Sequence, residues 1–568
     1  MSNQFNHLDL DPENLEFNEA VDFVHNTNSS LYLTGKAGSG KTTFLKYIKK
    51  TTKKNAVIVA PTGIAAINAG GQTIHSFFQI PFSPFIQGDP RLDTKTKDAQ
   101  NYYQTFQYRK KKRKVIQELE LLIIDEVSMV RCDIIDVIDR ILRIEKRQRD
   151  FPFGGVQVLF IGDAFQLPPI INDNQWNILC EFYDGPFFFN SWVFDGYAPS
   201  YIELKKIYRQ KEQGFIDLLN RVRTNEVTDN DISMLNGRLI TPPSDDKEFI
   251  TLATHNIQVN QTNARELEKL QGDIHEFEAT ISGDFPSNNF PAEHFLRLKE
   301  GAQIMFLKND YATHKRYYNG KIGVVQSFTD DGIVVSCSGE DPILVEKAAW
   351  EHIIYEYDRE EKKITEKVKG TFTQYPLRLA WSVTVHKSQG LSFPKLIADV
   401  QGAFVAGQVY VALSRCTTFS GLILKSPIHR NCITSNPMVI EFAKKETNQH
   451  ELSRMKNDGK ADLRYRRAIK EFNNGEIKKA VTEVIEAINL RDDLDSDMFR
   501  RFVRYKMIKG MKLEKFDANV NPWVELEKEM ERALNMVKLI LRETAEQNIP
   551  LDRATEELNN LVHLESKQ

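Results

Sequence analysis

Cysteine pairs, long apolar runs and a charge excess are all missing from this chain of 568 residues. Its five cysteines, Cys132, Cys180, Cys337, Cys416 and Cys432, lie far apart, with no C-x-x-C pair. That spacing argues against a disulfide framework and a zinc site, and it suits a reducing compartment. No stretch approaches the ~18 apolar residues of a membrane span. Residues 1–16 are acidic and polar, without the basic-then-apolar layout of a signal peptide. The formal net charge is only -3, so a polynucleotide partner is not written in overall charge and would need a local basic groove. These absences lead us to expect a soluble intracellular protein, in cytoplasm or nucleoid if bacterial, with no membrane contact and about three or four domains.

What is present is concentrated first at Gly35-Lys36-Ala37-Gly38-Ser39-Gly40-Lys41-Thr42. An apolar run, Leu31-Tyr32-Leu33, precedes it and a helical pattern from Thr43 follows, giving strand, glycine loop, helix. The spacing G-x-x-x-x-G-K-T is that of a phosphate-cradling P-loop. Its glycines let successive backbone N–H groups face one anion, and the helix adds its positive end. Gly35, Ala37, Gly38, Ser39, Gly40, Lys41, Thr42 and Thr43 are therefore expected to hold a nucleoside triphosphate. Lys41 would reach the β- and γ-phosphates and the Thr42 hydroxyl would hold Mg²⁺.

Two further strand ends carry chemistry. Leu121-Leu122-Ile123-Ile124 runs into Asp125-Glu126. Downstream of a P-loop, Asp125 is placed to hold Mg²⁺ and Glu126 to polarise the attacking water. The run Val156 to Ile161 ends in Gly162-Asp163-Ala164-Phe165-Gln166-Leu167-Pro168-Pro169, where Gln166 could sense the γ-phosphate. A continuous apolar run, Ala56 to Ala60, completes the pattern of buried parallel strands. Residues 79–114 break the alternation with Pro81, Pro84 and Pro90. The basic run Arg109 to Arg113 reads as a solvated surface, with phosphate contact or a nuclear localisation patch as the other readings.

In order, the P-loop, A-P-T-G-I-A-A-x-N, T-I-H-S-F, D-E-V-S-M, F-G-G-V-Q and G-D-x-x-Q-L-P-P resemble the Pif/RecD-like DNA helicases of superfamily 1B. Glu203 to Gln210 looks like the fourth motif of that family, Ala380 to Gly390 the fifth and Tyr410 to Arg415 the sixth. The resemblance runs from about Ala20 to Ile423, roughly three-quarters of the chain. It implies an α/β fold of two RecA-like P-loop cores with ATP between them. By motif match Arg209 and Arg415 become the arginines that reach the γ-phosphate from the second core, and Gly390 belongs at the nucleotide. Thr62, His75, Phe77, Thr384, His386 and Lys387 are placed near single-stranded DNA. The family's adenine-reading glutamine is replaced by Asn18, a shorter amide, with Gln4 as the other candidate, so base preference is open.

The expected division is residues 1–200 for the first core, with an insertion at 79–114, and residues 201–302 and 373–440 for the second. Between them, residues 303–372 show short alternating β runs with turn signals at Asn319-Gly320 and Asp331-Gly332. They read as a small barrel, SH3-like by the resemblance, in which Tyr311, Tyr317 and Tyr318 either stack on bases or serve as barrel and surface tyrosines. Residues 446–460 read as a linker, and 455–568 as all-helical. A tetratricopeptide-like pair around Gly475 is expected to be a plain helical hairpin, because no second repeat is visible. The tail would bind a protein partner or brace the motor. Together these imply a monomeric ATP- and Mg²⁺-dependent DNA helicase moving 5′-to-3′ on single-stranded DNA and unwinding duplex at single-strand junctions. The rival readings are an ATP-gated scaffold or switch, and an RNA helicase.

Overall fold

The computed structural model describes residues 11, 13–95, 101–241, 249–310, 316–403, 405–497, 499–503 and 522–562. They form two compact units. One comprises residues up to Val21 and Ser30–Glu446; the other comprises Asp22–Ser29 and residues from Thr447 onward.

The first unit is organised by two parallel sheets. The larger contains β1 (Leu31–Gly35), β2 (Ala56–Ala60), β3 (Gln72–Thr73), β4 (Leu121–Ile124), β5 (Gln157–Ile161) and β6 (Ser200–Leu204), in the order β3-β2-β4-β5-β1-β6. Every pairing in it is parallel. Strands β1, β4 and β5 are buried along their whole length. This is why their sequences are apolar without alternation: helices cover both faces. The chain turns that leave β1, β4 and β5 all emerge at one edge, where a doubly wound sheet holds its ligands. The second sheet, order β18-β7-β19-β20, is built from β7 (Ile250–Ala253), β18 (Ser382–Thr384), β19 (Leu396–Asp399) and β20 (Leu422–Leu424), again all parallel.

Strand β6 corrects the expected boundary at residue 200/201. Its register, Thr34 opposite Glu203 and Gly35 opposite Leu204, makes it the edge of the first sheet, beside the P-loop strand. The insertion boundary at 114 also moves. The segment ends in a helix, Lys110–Glu118, and the basic run is only in part the solvated surface expected. Lys110 and Lys111 stay exposed, but Lys112 turns inward over the Phe77 ring at 3.3 Å and Arg113 pairs with Glu145 at 3.1 Å.

The β-rich region is larger than residues 303–372 and is divided. A five-stranded antiparallel sheet, order β14-β13-β12-β11-β17, comprises β11 (Gln303–Phe306), β12 (Ile322–Thr329), β13 (Gly332–Ser336), β14 (Ile343–Val345) and β17 (Leu377–Leu379). Strands β8 (His275–Glu278) and β10 (Phe295–Leu298) pair separately. The long strands β15 (Ala348–Asp358) and β16 (Lys363–Gln374) form a hairpin that β9 (Thr280–Gly283) extends. The far end of this hairpin reaches the first sheet. The Tyr355 hydroxyl accepts from the Ile58 N–H at 3.1 Å, Ile364 N–H donates to Asn55 Oδ1 at 2.9 Å, and Lys49 pairs with Glu366 at 2.7 Å. Tyr317 is a core residue stacked on Phe306 at 4.3 Å, Tyr318 is exposed, and Tyr311, like Gln4, lies outside the described residues.

The second unit is helical. Its first helix, Gln449–Asn473, runs through the stretch expected to be a linker and sets the boundary at 447 rather than 455. Gly459 sits inside that helix because a Cβ there would meet Ser29 Oγ at 2.6 Å and Thr27 Cβ at 2.7 Å. Lys456 and Lys460 close the same contact on Asp22 at 3.3 and 3.2 Å. Gly475, at φ +83°, turns the chain into Ile477–Ile488. Helices Pro522–Ala545 and Leu551–Val562 complete a core of Val481, Leu494, Val537, Ile540, Leu541, Ala554 and Leu558. No helix among the described residues is long and apolar enough to cross a membrane.

Candidate active site

The strand-to-helix turn after β1 is held by two left-handed glycines, Gly38 (φ +82°) and Gly40 (φ +97°). Gly38 has a second constraint. A Cβ on it would lie 2.3 Å from the Cβ of Arg209, so the chain after β6 is pressed onto the loop. Tyr208 N–H donates to Gly38 O at 2.9 Å in the same contact. The helix Lys41–Thr51 then starts at Gly40. The Lys41 ammonium donates to the carbonyls of Gly35 at 2.5 Å and Lys36 at 3.1 Å.

From the second sheet, helix Gln408–Leu413 brings Tyr410 to the same loop, where its hydroxyl accepts from Ala37 N–H at 3.0 Å. Arg415 follows that helix and is buried, its Nε on Val411 O at 3.0 Å and Nη2 on Ser414 Oγ at 3.1 Å. Arg209 Nη1 donates to Ser414 O at 3.1 Å, and Gln210 Nε2 holds Ser414 O and Cys416 O at 3.0 and 2.9 Å. The two arginine-bearing segments are thus tied to each other.

These elements enclose a cavity of about 770 Å³, room for a nucleotide-sized ligand. Ala37, Gly38, Ser39, Gly40, Lys41, Thr42, Thr43, Glu126, Gln166, Arg209, Gly390 and Arg415 all line it. The cleft is rich in cations, Arg415 buried and Lys41 and Arg209 half-buried. Burial pushes Lys41, Arg209 and Arg415 below their ordinary values, and for Arg209 the guanidinium of Arg415 adds to the effect. A polyanion between them would reverse that penalty, which is what a triphosphate supplies. The carboxyls shift the other way. Burial, reinforced by Glu126, raises Asp125, and burial raises Glu126 against the pull of Lys41 and Arg415. Glu126 also holds a left-handed backbone (φ +50°), an unusual conformation for a residue with a side chain.

For a cation, Thr42 and Asp125 offer one hydroxyl and one carboxylate, the hard oxygen donors Mg²⁺ takes alongside phosphate oxygens and water. Among the described residues no group of three or more His, Cys, Asp or Glu side chains converges. The donor set therefore fits an ion carried in with a nucleotide. Asp125 is not part of the cavity lining, nor is Gly35 beyond the carbonyl it gives Lys41.

Asn18 requires correction. It does not line the cavity; its Nδ2 donates to Asp11 O at 3.0 Å. Asp11, Asn14, Phe17, Tyr47 and Tyr208 line the cavity instead. Asn14 Nδ2 donates to the Tyr208 hydroxyl at 3.0 Å. Tyr208 is half exposed, and its place beside Arg209 was the sequence signal for it.

The residues assigned to single-stranded DNA divide in two. Phe77 is fully buried, 4.8 Å from Phe78 and 5.8 Å from Tyr355 between ring centroids, so it is a core residue and not a DNA contact. Thr384 is also buried, its hydroxyl accepting from Lys387 N–H at 3.3 Å to shape the turn after β18. Thr62 caps helix Gly63–Ala69 through Ala65 N–H at 3.3 Å and is half-buried. His75 stacks on the exposed ring of Phe82 at 4.6 Å, His386 is half-buried and Lys387 is exposed. None of the six lines the nucleotide-sized cavity.

Comparison with known proteins gives one consistent match. The family described as PIF1-like helicase matches residues 11–233. The chain is 32% identical to "ATP-dependent DNA helicase PIF1" of Rattus norvegicus over 409 residues, 69% of this chain and 58% of that protein. It thus spans less than two thirds of that relative. It is 30% identical to "ATP-dependent DNA helicase Pif1" of Bdellovibrio bacteriovorus over 445 residues, 77% of this chain and 92% of that protein. Among solved structures, Bacteroides sp Pif1 in complex with ADP-AlF4 shares 40% identity at a TM-score of 0.69, covering 76% of this chain and 96% of that one. Bacteroides Pif1 bound to ssDNA shares 40% identity at a TM-score of 0.54, with the same two coverages.

Proposed function

The chain belongs to the PIF1-like helicase family, and from that premise and the cleft between its two parallel sheets we infer that it is an ATP-dependent DNA helicase. One observation carries the reading. Arg415, which follows the second sheet, lines the same cavity as Lys41, Glu126 and Gln166 of the first, and Arg209, which follows β6 of the first sheet, is tied to it through Ser414. In this reading the P-loop amides and Lys41 bind the phosphates, and Thr42 and Asp125 hold Mg²⁺. Glu126 takes the proton of the attacking water, Gln166 faces the γ-phosphate, and the two guanidiniums stabilise charge as it develops. Adenine packs against Phe17, Tyr47 and Tyr208. Because Arg415 is borne by the second sheet, closing of the cleft and hydrolysis are coupled, and alternating grip on phosphates moves the strand.

The relatives' named activity and the ssDNA-bound Bacteroides structure support DNA as the track. Direction 5′-to-3′ is the family's. Thr62, His75, His386 and Lys387 are the side chains left with enough exposure to touch the strand. The five-stranded antiparallel sheet is assigned as the SH3-like module over it, and the protein acts as a monomer whose helical unit is open to a protein partner. The test is ATP turnover with single-stranded DNA, with RNA and with neither, followed by unwinding of duplexes bearing a 5′ or a 3′ tail. Stimulation by DNA and unwinding from the 5′ tail are expected. Turnover indifferent to polynucleotide would end the reading.

A further inference from the structure

A third arginine crosses between the two sheets, and no motif pointed to it. Arg223 lies in the last turn of helix Gln213–Thr224. That helix belongs to the second sheet by packing, since Phe215, Leu218, Leu219 and Val222 share one core with Val383, Leu396 and Val411. Its guanidinium nevertheless ends among residues of the first sheet. Nη2 and Nε donate to Asp163 Oδ1 at 3.0 and 3.3 Å, Nη1 sits 3.2 Å from Glu203 Oε1, and the plane lies 4.3 Å over the Phe165 ring. Arg223 and Asp163 are both almost wholly buried. Glu203 is the residue of β6 paired with Thr34 of the P-loop strand, and Asp163 follows β5. One side chain anchored in the second sheet thereby grips β6 and the turn that leaves β5, the two neighbours of β1.

Asp163 in turn holds the side chain that faces the γ-phosphate end of the cleft. Its Oδ1 is taken by Arg223 and by Phe165 N–H at 3.2 Å. Its Oδ2 accepts from Gln166 Nε2 at 3.2 Å. An ionised carboxylate can only accept, so it fixes which end of the Gln166 amide faces it. Arg223 keeps Asp163 ionised by proximity. Burial alone would raise that carboxyl, but Arg223, Lys41 and the Gln166 amide outweigh it and hold it below its ordinary value. A second contact runs beside the first, because a Cβ on Gly407, at the start of the helix that leads to Arg415, would meet Gln166 O at 2.5 Å.

We propose that Arg223 is a positioning residue for the hydrolytic step: it transmits the place of the second sheet, through Asp163, to the Gln166 side chain. The proposal rests on the ATPase reading above. It differs from the role given to Arg209 and Arg415, which act on the nucleotide directly; Arg223 does not line the cavity. Lysine cannot replace it in full, because the planar fork reaches Asp163 and Glu203 at once where an ammonium is a single point charge.

The test uses full-length Arg223→Met, Arg223→Lys and the double variant Asp163→Asn/Arg223→Met, measured for kcat, for KM of ATP and for thermal unfolding, with and without single-stranded DNA. Arg223→Met should lower kcat about 10- to 100-fold with KM little changed, as expected when a reacting group is misplaced rather than removed. Arg223→Lys should regain part of that loss. The double variant removes the buried unpaired Asp163 carboxylate, while Glu203, whose Oε1 is buried without a hydrogen bond, loses its cation in both Met variants. It should therefore melt above Arg223→Met yet turn over as slowly. A double variant with wild-type kcat would overturn the proposal, since Arg223 would then only neutralise Asp163. So would parallel changes in kcat and KM. Should Arg223→Met not fold, Arg223→Lys decides: reduced kcat at unchanged KM and melting supports the proposal, and wild-type kcat overturns it. Wild-type turnover that ignores DNA would undo the helicase reading and leave this comparison of variants intact.

Discussion

Replacing Arg415 by alanine isolates what the second sheet contributes to chemistry. The guanidinium is 2% exposed, and its fixed partners are local, Val411 O and Ser414 Oγ. Its charge faces the pair Glu126 and Asp163 across the cleft. An arginine supplied to a transferring phosphoryl group is worth about 10³–10⁵ in turnover. Arg209 remains in the variant, so the lower limit applies: a loss of about 10³ in kcat, or ~4 kcal/mol of transition-state stabilisation. Ground-state binding should change far less, because the P-loop amides, Lys41 and the aromatic base end are untouched; a change under about tenfold in affinity, ~1.4 kcal/mol, is expected. Stability should move little. Two local hydrogen bonds, each about 0.5–1.5 kcal/mol, are lost while a desolvated cation is removed. Steady-state phosphate release at saturating ATP and single-stranded DNA gives the first number, fluorescent-nucleotide titration the second, and thermal melting the control. Equal losses in turnover and affinity, or turnover within threefold of wild type, would refute the assignment.

Lys112→Met should stabilise the protein at neutral pH. Burial pushes the Lys112 ammonium down to about 7 from 10.5, with the Phe77 face at 3.3 Å offsetting part of the cost. The unfolded chain then binds more protons between those values, so wild-type stability should rise with pH across that window, and the variant should lose the slope in melts at pH 7 and 9. Tyr355→Phe removes the acceptor of the buried Ile58 N–H and should cost about 1–3 kcal/mol, read as a lower urea midpoint at constant m. Lys387→Ala should weaken single-stranded DNA binding for every sequence alike and lower the log–log salt slope by about 0.7. An unchanged slope would remove Lys387 from the phosphate contacts.

The candidate residues that the sequence sets at one sheet edge are those whose setting is local. The P-loop, Asp125-Glu126 and Gln166 each sit at the end of an apolar run, and the parallel sheet then brings those ends to one edge. Phe77 and Thr384 misled because they stand inside motifs whose neighbours face a groove, while they themselves point inward; a motif does not say which side of a short helix or turn each member takes. Asn18 failed for a related reason, since its amide bonds Asp11 and the cavity is lined by other side chains before and after it in sequence. Strand β6 was given to the wrong core because its pairing with β1 spans most of the first sheet in sequence. Arg223 was not legible at all. It occupies an ordinary place in an amphipathic helix, and only the packing of that helix aims it at Asp163.

The hydrogen bond between Tyr355 and Ile58 joins residues 297 positions apart. During synthesis at about 5–20 residues per second, Ile58 therefore emerges roughly 15–60 s before its partner. For that interval the nascent first domain carries an unanswered backbone amide, and the Phe77 ring lacks its edge contact with Tyr355, a natural hold for a chaperone. Protease sensitivity near residue 58 should fall sharply between ribosome-stalled chains ending before and after the β15–β16 hairpin; equal sensitivity would mean that the first sheet closes without it.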